Sequence, residues 1–84
     1  MKTENESIAI IHECAALRGK GLFDLAIATI TKHMNEIHAD TRVNALLEAF
    51  YAAKEKGDVA ETKKYARMVA IEDARVPSIQ EYLN

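Results

Sequence analysis

The chain has 84 residues, of which 49% are hydrophobic and 29% are charged, and its formal net charge is −2. This composition is typical of one small folded domain and excludes a disordered chain of low hydrophobicity. The slightly acidic balance offers no electrostatic footprint for nucleic acid or anionic lipid.

Cysteine usage and the N-terminal residues bear on the cellular compartment. Cys14 is the only cysteine, so an internal disulfide is impossible and a reducing cytoplasm is expected. The first residues, MKTENESIAIIHE, carry acidic groups and lack a long apolar core, which argues against a secretory signal. No run approaches the roughly 18 apolar residues of a membrane span. We therefore expect a cytoplasmic protein without a membrane partner.

The first predicted helix begins at Thr3, because residues 3–6 (TENE) have the form of a capping box. Either Gly19 or Gly21 can adopt the left-handed conformation that closes a helix, and so they end it. Apolar residues recur between these limits at helical spacing. The predicted buried stripe consists of Ile10, Cys14 and Leu17, with Ile11 beside them.

The second predicted helix follows at once, and Asp24 in its first turn is favourably placed against the helix dipole. Its apolar surface is wide, which predicts neighbouring elements on more than one side. That surface comprises Leu22, Phe23, Ala26, Ile27, Ile30, Met34 and Ile37.

The third predicted helix begins after residues 38–42 (HADTR), where Asp40 or Thr41 can serve as the N-cap. Gly57 ends this helix, because glycine is the residue best suited to closing it. Its inward side is predicted to consist of Val43, Leu46, Leu47, Phe50 and Ala53.

The fourth predicted helix begins with a second capping sequence, residues 58–61 (DVAE). It ends by Arg75, because the residue before Pro77 avoids helical geometry. Its predicted apolar residues are Val59, Tyr65, Ala66, Met68, Val69 and Ile71. Residues 76–84, the C-terminal segment, are predicted to form a short helix capped at Ser78. This segment folds back onto the body through Val76, Ile79, Tyr82 and Leu83.

The two glycine turns are related by a shift of 36 residues along the chain. That shift aligns Lys20 with Lys56 and Gly21 with Gly57, and it also aligns apolar positions with one another. The apolar pairs are Ile10 with Leu46, Ile11 with Leu47, Phe23 with Val59 and Ile30 with Ala66. Each unit therefore reads helix, glycine turn, helix, which is typical of an α-solenoid built from helical pairs.

In these features the chain resembles the tetratricopeptide repeat family, whose motif places small residues where two helices cross and a glycine near the turn. The matching positions of the first unit are Ile10, Cys14, Leu17, Gly21, Ala26 and Ile30. In the second unit Leu46, Gly57 and Val69 agree with the motif. Phe50 and Thr62 stand where the family has small residues. The period of 36 compares with about 34 in the family.

The resemblance implies two stacked antiparallel hairpins, at about residues 7–38 and 43–75, with residues 76–84 as a capping segment. The alternative is a four-helix bundle whose two hairpins merely look alike. Both are all-α: four helices plus a short C-terminal helix, in a single domain of residues 1–84. The two architectures differ in how the hairpins stack.

No catalytic residue, cofactor or metal site is predicted. On a helix His12 and Cys14 lie about 200° apart, and His33 and His38 about 140° apart, so neither pair shares a face for a metal ion. Cys14 on the apolar stripe fits a small buried hydrophobic residue better than a nucleophile. Residues 19–21 (GKG) lack the spacing and the Ser or Thr of a phosphate-binding loop. We expect no enzymatic activity.

The sequence favours a protein–protein interaction module, because two stacked hairpins leave a concave face and two open ends. Proteins of the family that the chain resembles serve as adaptors and as chaperones for secretion subunits. The expected partner is a helix or peptide of another protein, or a second copy of the chain in a homo-oligomer. The predicted partner-binding residues are Arg18, Glu48, Tyr51 and Lys54.

An alternative interpretation is a small regulator that binds nucleic acid or transcription machinery through the fourth helix. Phosphate contacts would come from Lys56, Lys63, Lys64 and Arg67. Acidic residues among these cations, such as Asp58 and Glu61, make nucleic acid the less favoured partner.

Overall fold

The computed structural model describes residues 1–83, and these residues form helices joined by short turns, with no strand among them. Helix α1 spans Glu4–Gly19, α2 spans Phe23–His33, α3 spans Arg42–Lys56 and α4 spans Val59–Glu72. Short 3₁₀ turns lie at Met34–Glu36, Ala39–Thr41 and Pro77–Tyr82. The prediction of an all-α fold is confirmed.

The predicted capping box at the start of α1 is present. The Thr3 hydroxyl accepts from the Glu6 backbone N–H at 3.1 Å, and the Glu6 carboxylate accepts from the Thr3 N–H at 2.8 Å. The bonds from Thr3 to this carboxylate hold the pKa of Glu6 below its usual value. At α4, the Asp58 carboxylate accepts from the Glu61 N–H at 3.0 Å, so Asp58 is the N-cap there.

The chain makes the same turn twice. Gly21 and Gly57 both have left-handed backbone conformations, with φ of 75° and 86°. After the first turn the Leu22 N–H donates to the Leu17 carbonyl at 3.0 Å. After the second, the Asp58 N–H donates to the Ala53 carbonyl at 3.1 Å. Both are the six-residue bonds of a Schellman motif, and their partners are related by the same 36-residue shift.

The two hairpins lie side by side. Helix α1 packs on α2 and on α3, α2 packs on α3, and α3 packs on α4. Within residues 1–83, no Cα atom of α1 lies within 8 Å of a Cα atom of α4, although a closed four-helix bundle would bring its first and fourth helices together. The arrangement is therefore open and flat, with extents of 34 × 28 × 17 Å.

The core is centred on α3. Its buried residues are mostly alanines, which allow the neighbouring helices to approach closely. The fully buried residues of α3 are Ala45, Ala49, Phe50, Ala52 and Ala53. The neighbours contribute Cys14, Ala26, Ile30, Ala66 and Val69, all with no exposed surface.

Helix α2 is shorter than its apolar pattern predicts. It ends at His33, and Met34 then starts a 3₁₀ turn. Ile37 lies beyond the helix in extended backbone, although its side chain is buried as expected. Leu22 is 44% exposed, against the prediction that it faces a neighbour. The reason is that, among residues 1–83, the long helices packed along α2 are α1 and α3, and neither covers its outer side.

Helix α4 contacts α3 and the C-terminal segment. Val59 and Ile71 therefore remain exposed, at 63% and 81%, although both belong to the apolar pattern predicted for this helix. Tyr65, Ala66 and Val69 are buried as predicted. The exposed side of α4 is thus partly apolar.

Residues 76–83 fold back onto α4 and α3 as predicted, with Ile79 fully buried and the Tyr82 ring edge-on to Phe50 at 5.4 Å, while Asn84 lies outside the described residues. The predicted cap at Ser78 is wrong, because the turn begins at Pro77 and the Ser78 hydroxyl has no hydrogen-bond partner among residues 1–83. Instead, the Gln80 amide donates to the carbonyls of Ala74 and Val76, at 2.7 and 2.9 Å.

Over the described range, residues 1–83, every helix is too short or too polar to cross a lipid bilayer.

The three glycines provide a test of the turn geometry. Gly57→Ala and Gly21→Ala should each lower the free energy of unfolding by about 1 kcal/mol, because alanine is strained in the left-handed region. Gly19→Ala is the matched control. Gly19 is the last residue of α1 and has no positive φ, so alanine there should be neutral or stabilising. Urea denaturation measures all three, and equal effects at Gly19 and Gly57 would contradict the assignment.

Candidate functional site

An open groove of about 360 Å³ runs between α1 and α3. Helix α1 lines one wall and α3 the other. It is called here the α1–α3 groove, and it is lined by Ile8, Ile11, His12, Asn44, Leu47, Glu48 and Tyr51.

Equivalent positions of the two hairpins face each other across this groove. Ile8 and Asn44, Ile11 and Leu47, and His12 and Glu48 are each separated by 36 residues in the sequence. Because α1 and α3 pack side by side in matching register, the same face of both helices lines the groove.

The apolar part of the groove is continuous with the core. Ile11 and Leu47 are partly buried and pack against the core cluster. His12 and Asn44 are exposed, so the groove has an apolar floor and a polar rim. Such a lining can bury an apolar side chain while offering hydrogen bonds at its edge.

Arg18 ties α1 to α3 at the end of the groove. Its Nε donates to Glu48 at 3.1 Å, its Nη1 donates to Glu55 at 2.6 Å, and its guanidinium lies 5.3 Å from the centre of the Tyr51 ring. Burial alone would lower the pKa of Arg18, but the charges of Glu48 and Glu55 outweigh it and raise the pKa above its ordinary value. Arg18 therefore stays charged and fixes Glu48 and Tyr51 in place.

The four residues predicted to bind a partner divide between two places. Arg18, Glu48 and Tyr51 lie together, and the last two line the groove. Lys54 lies one turn farther along α3, with its Nζ 5.8 Å from the centre of the Tyr82 ring. The binding role of all four stays a prediction.

Sequence reasoning did not assign Ile8, His12 and Asn44 to a binding site. Two of them are polar and exposed, and none belongs to the predicted buried stripes. The sequence feature that could have identified them is the 36-residue shift, which aligns Ile8 with Asn44 and His12 with Glu48.

The four cations proposed for nucleic acid also separate. The Lys56 ammonium donates to Asp24 at 2.6 Å, which joins the two glycine turns and raises the pKa of Lys56. Lys63, Lys64 and Arg67 lie on α4, whereas Lys56 is the last residue of α3. Their phosphate-binding role stays a prediction.

One group of possible metal ligands lies at the junction of α1 and the 3₁₀ turn Ala39–Thr41. The ligand atoms of Glu4, His38 and Asp40 are within 4.8 Å of one another. Glu4 and Asp40 are exposed, and His38 Nδ1 already accepts from the Asp40 N–H at 3.2 Å. These contacts are accounted for by the turn itself.

Cys14 is fully buried beneath the groove wall. Burial raises the pKa of its thiol to about 12, and the charge of Glu48 adds to the effect. The thiol is therefore neutral at cellular pH, as expected for a packing residue.

No protein-family model matches the chain, and no curated protein or solved structure matches it at a significant level. The resemblance to tetratricopeptide repeats accordingly stays a prediction.

The state of Cys14 can be tested by thiol labelling. Its raised pKa and burial should make labelling with a disulfide reagent at about pH 8 at least ~100-fold slower in the native chain than in urea. Stopped-flow absorbance measures both rates, with Cys14→Ala as the blank. Similar rates in the two states would contradict a neutral, buried thiol.

The Arg18–Glu48 pair should contribute to stability. A double-mutant cycle with Arg18→Met and Glu48→Gln is expected to give a coupling of about 1 kcal/mol, since both side chains are partly buried, at 25% and 17% exposure. The control cycle uses Lys56 and Asp24, whose side chains are 40% and 79% exposed. Solvent screening should make that coupling undetectable. Equal coupling free energies in the two cycles would show that the Arg18–Glu48 pair does not stabilise the packing of the two hairpins.

Proposed function

We propose that this chain is a small protein-binding module, an adaptor or regulator, which holds a short segment of a partner protein in the α1–α3 groove. The observation that carries the proposal is the lining of one open groove by equivalent residues of two stacked hairpins.

The dimensions of the groove suit side chains of a peptide segment. Its α3 wall extends from Asn44 to Tyr51, which corresponds to about 10 Å along the helix axis. That distance matches two turns of a partner helix, whose apolar anchors recur at i, i+3 or i+4, and i+7. Ile11 and Leu47 provide the apolar floor that such anchors need.

Two of the lining side chains, Glu48 and Tyr51, have contacts that hold them in place without a partner. Arg18 contacts them through an ion pair of 3.1 Å and a cation–π contact of 5.3 Å. Side chains that are already held lose less conformational entropy on binding, which favours affinity and orientation.

The C-terminal segment leaves the groove free. It packs on α4 and reaches α3 through the contact between Tyr82 and Phe50, whereas the groove lies between α1 and α3. Among the residues that the structure describes, those lining the groove all come from α1 and α3.

Peptides selected from a random 12-residue display library provide a test. Asn44 is exposed and lines the groove, so Asn44→Trp fills the groove without removing a buried side chain. We expect selected peptides to bind this variant at least ~10-fold more weakly than the wild type, corresponding to about 1.4 kcal/mol. Fluorescence anisotropy measures the affinities.

Thr31→Trp is the matched control, since Thr31 is exposed on α2 and outside the groove. This variant should bind the peptides as the wild type does. Selected peptides that tolerate Asn44→Trp, or that shift backbone amide signals outside α1 and α3, would refute the groove as the binding site.

A further inference from the structure

The outer side of α4 is a second surface with a distinct chemistry. At about 100° per residue, seven residues of this helix fall within an arc of about 140°. They are Val59, Ala60, Lys63, Lys64, Arg67, Ala70 and Ile71, called here the outer face of α4. The arc contains three cations and no carboxylate, because Glu61 and Glu72 lie outside it.

The cations of this face are not neutralised within residues 1–83. No carboxylate oxygen lies within 4.0 Å of the side-chain nitrogens of Lys63, Lys64 or Arg67. The acid closest in sequence to Ile71, Glu72, is paired with Arg42 at 3.5 Å. Since the whole chain carries −2, the residues outside these three cations sum to −5. The outer face of α4 is therefore a local positive patch on an acidic molecule.

Exposed aliphatic side chains flank the positive patch. Val59, in the first turn, is 63% exposed and Ile71, in the last turn, is 81% exposed. The two residues are separated by about 18 Å along the helix axis. An anion-binding surface alone does not require these apolar ends, whereas a protein interface combines apolar contacts with charge complementarity.

We propose that the outer face of α4 binds an acidic helical segment of a partner protein. Carboxylates of that segment lie opposite Lys63, Lys64 and Arg67, and its apolar residues contact Val59 and Ile71. A nucleic acid presents phosphates along its whole length, so the acidic remainder of this chain opposes it. Two aliphatic side chains separated by a cationic centre are also too few to insert into a bilayer surface.

A designed peptide tests directly whether the outer face of α4 binds a helix that carries glutamates between two apolar residues. The probe is a fluorescein-labelled helix of 16 residues, with leucines 12 positions apart and three glutamates on the same face between them. It should bind the full chain at low salt and weaken steeply as salt rises. Replacing its glutamates by glutamine should weaken binding at least ~10-fold, and replacing its leucines by serine at least ~3-fold.

Variants of the chain locate the site. Lys64→Glu with Arg67→Glu should weaken probe binding at least ~10-fold, and Ile71→Ser at least ~3-fold. Lys20→Glu with Lys32→Glu is the matched control, because both residues are exposed and the change in net charge is the same. The control should retain affinity within about twofold. All the substituted residues are exposed, and circular dichroism melts verify that each variant is folded.

Four outcomes overturn the proposal. They are no measurable binding of the probe, equal losses in the two double variants, insensitivity to Ile71→Ser, and tighter binding of a 20-nucleotide single-stranded DNA or phosphatidylserine vesicles than of the probe. Because this face shares no residue with the α1–α3 groove, its failure leaves the groove result unaffected.

Discussion

Helix α3 packs against α1, α2 and α4, and it can do so because the residues that it buries are small. Four alanines of α3 have no exposed surface, and alanine brings helix backbones close without a side chain to immobilise. Larger residues such as Ile30 and Val69 enter the same cluster from the neighbouring helices. A bulkier residue at an alanine position would separate the hairpins, and with them the two walls of the groove.

Local features were well predicted from the sequence. The Thr3 capping box, the Asp58 cap and the left-handed glycines depend on residues within about six positions of one another, so their signals lie in short stretches. Gly19 and Gly21 were equal candidates for the first turn, and only the backbone shows that Gly21 takes the positive φ. The start of the 3₁₀ turn after His33 has no glycine or proline to mark it.

Exposure was less predictable, because it depends on which helices become neighbours. Val59 and Ile71 belong to the apolar pattern of α4, but no element within residues 1–83 covers that side of the helix. Arg18, Glu48 and Tyr51 were predicted from the sequence as partner-binding residues. Their mutual contacts across α1 and α3 required the register of the hairpins, which the 36-residue shift only suggested.

The two proposed binding surfaces differ in their chemistry. The α1–α3 groove has an apolar floor and a polar rim, whereas the outer face of α4 carries cations with apolar residues at its ends. A partner that reached both would gain from effective concentration, since the second contact becomes intramolecular.

Glu48 has two roles, because it is bonded to Arg18 of the neighbouring hairpin and also lines the groove. Substituting it would alter recognition and folding together. Ile8, His12 and Asn44 line the same groove, yet their side chains make no hydrogen bond or ion pair within residues 1–83. Under the proposed function, exchanging the side chains at these three wall positions would change the lining of the groove without breaking a hydrogen bond, whereas changing Arg18 or Glu48 would break the contact that joins α1 to α3.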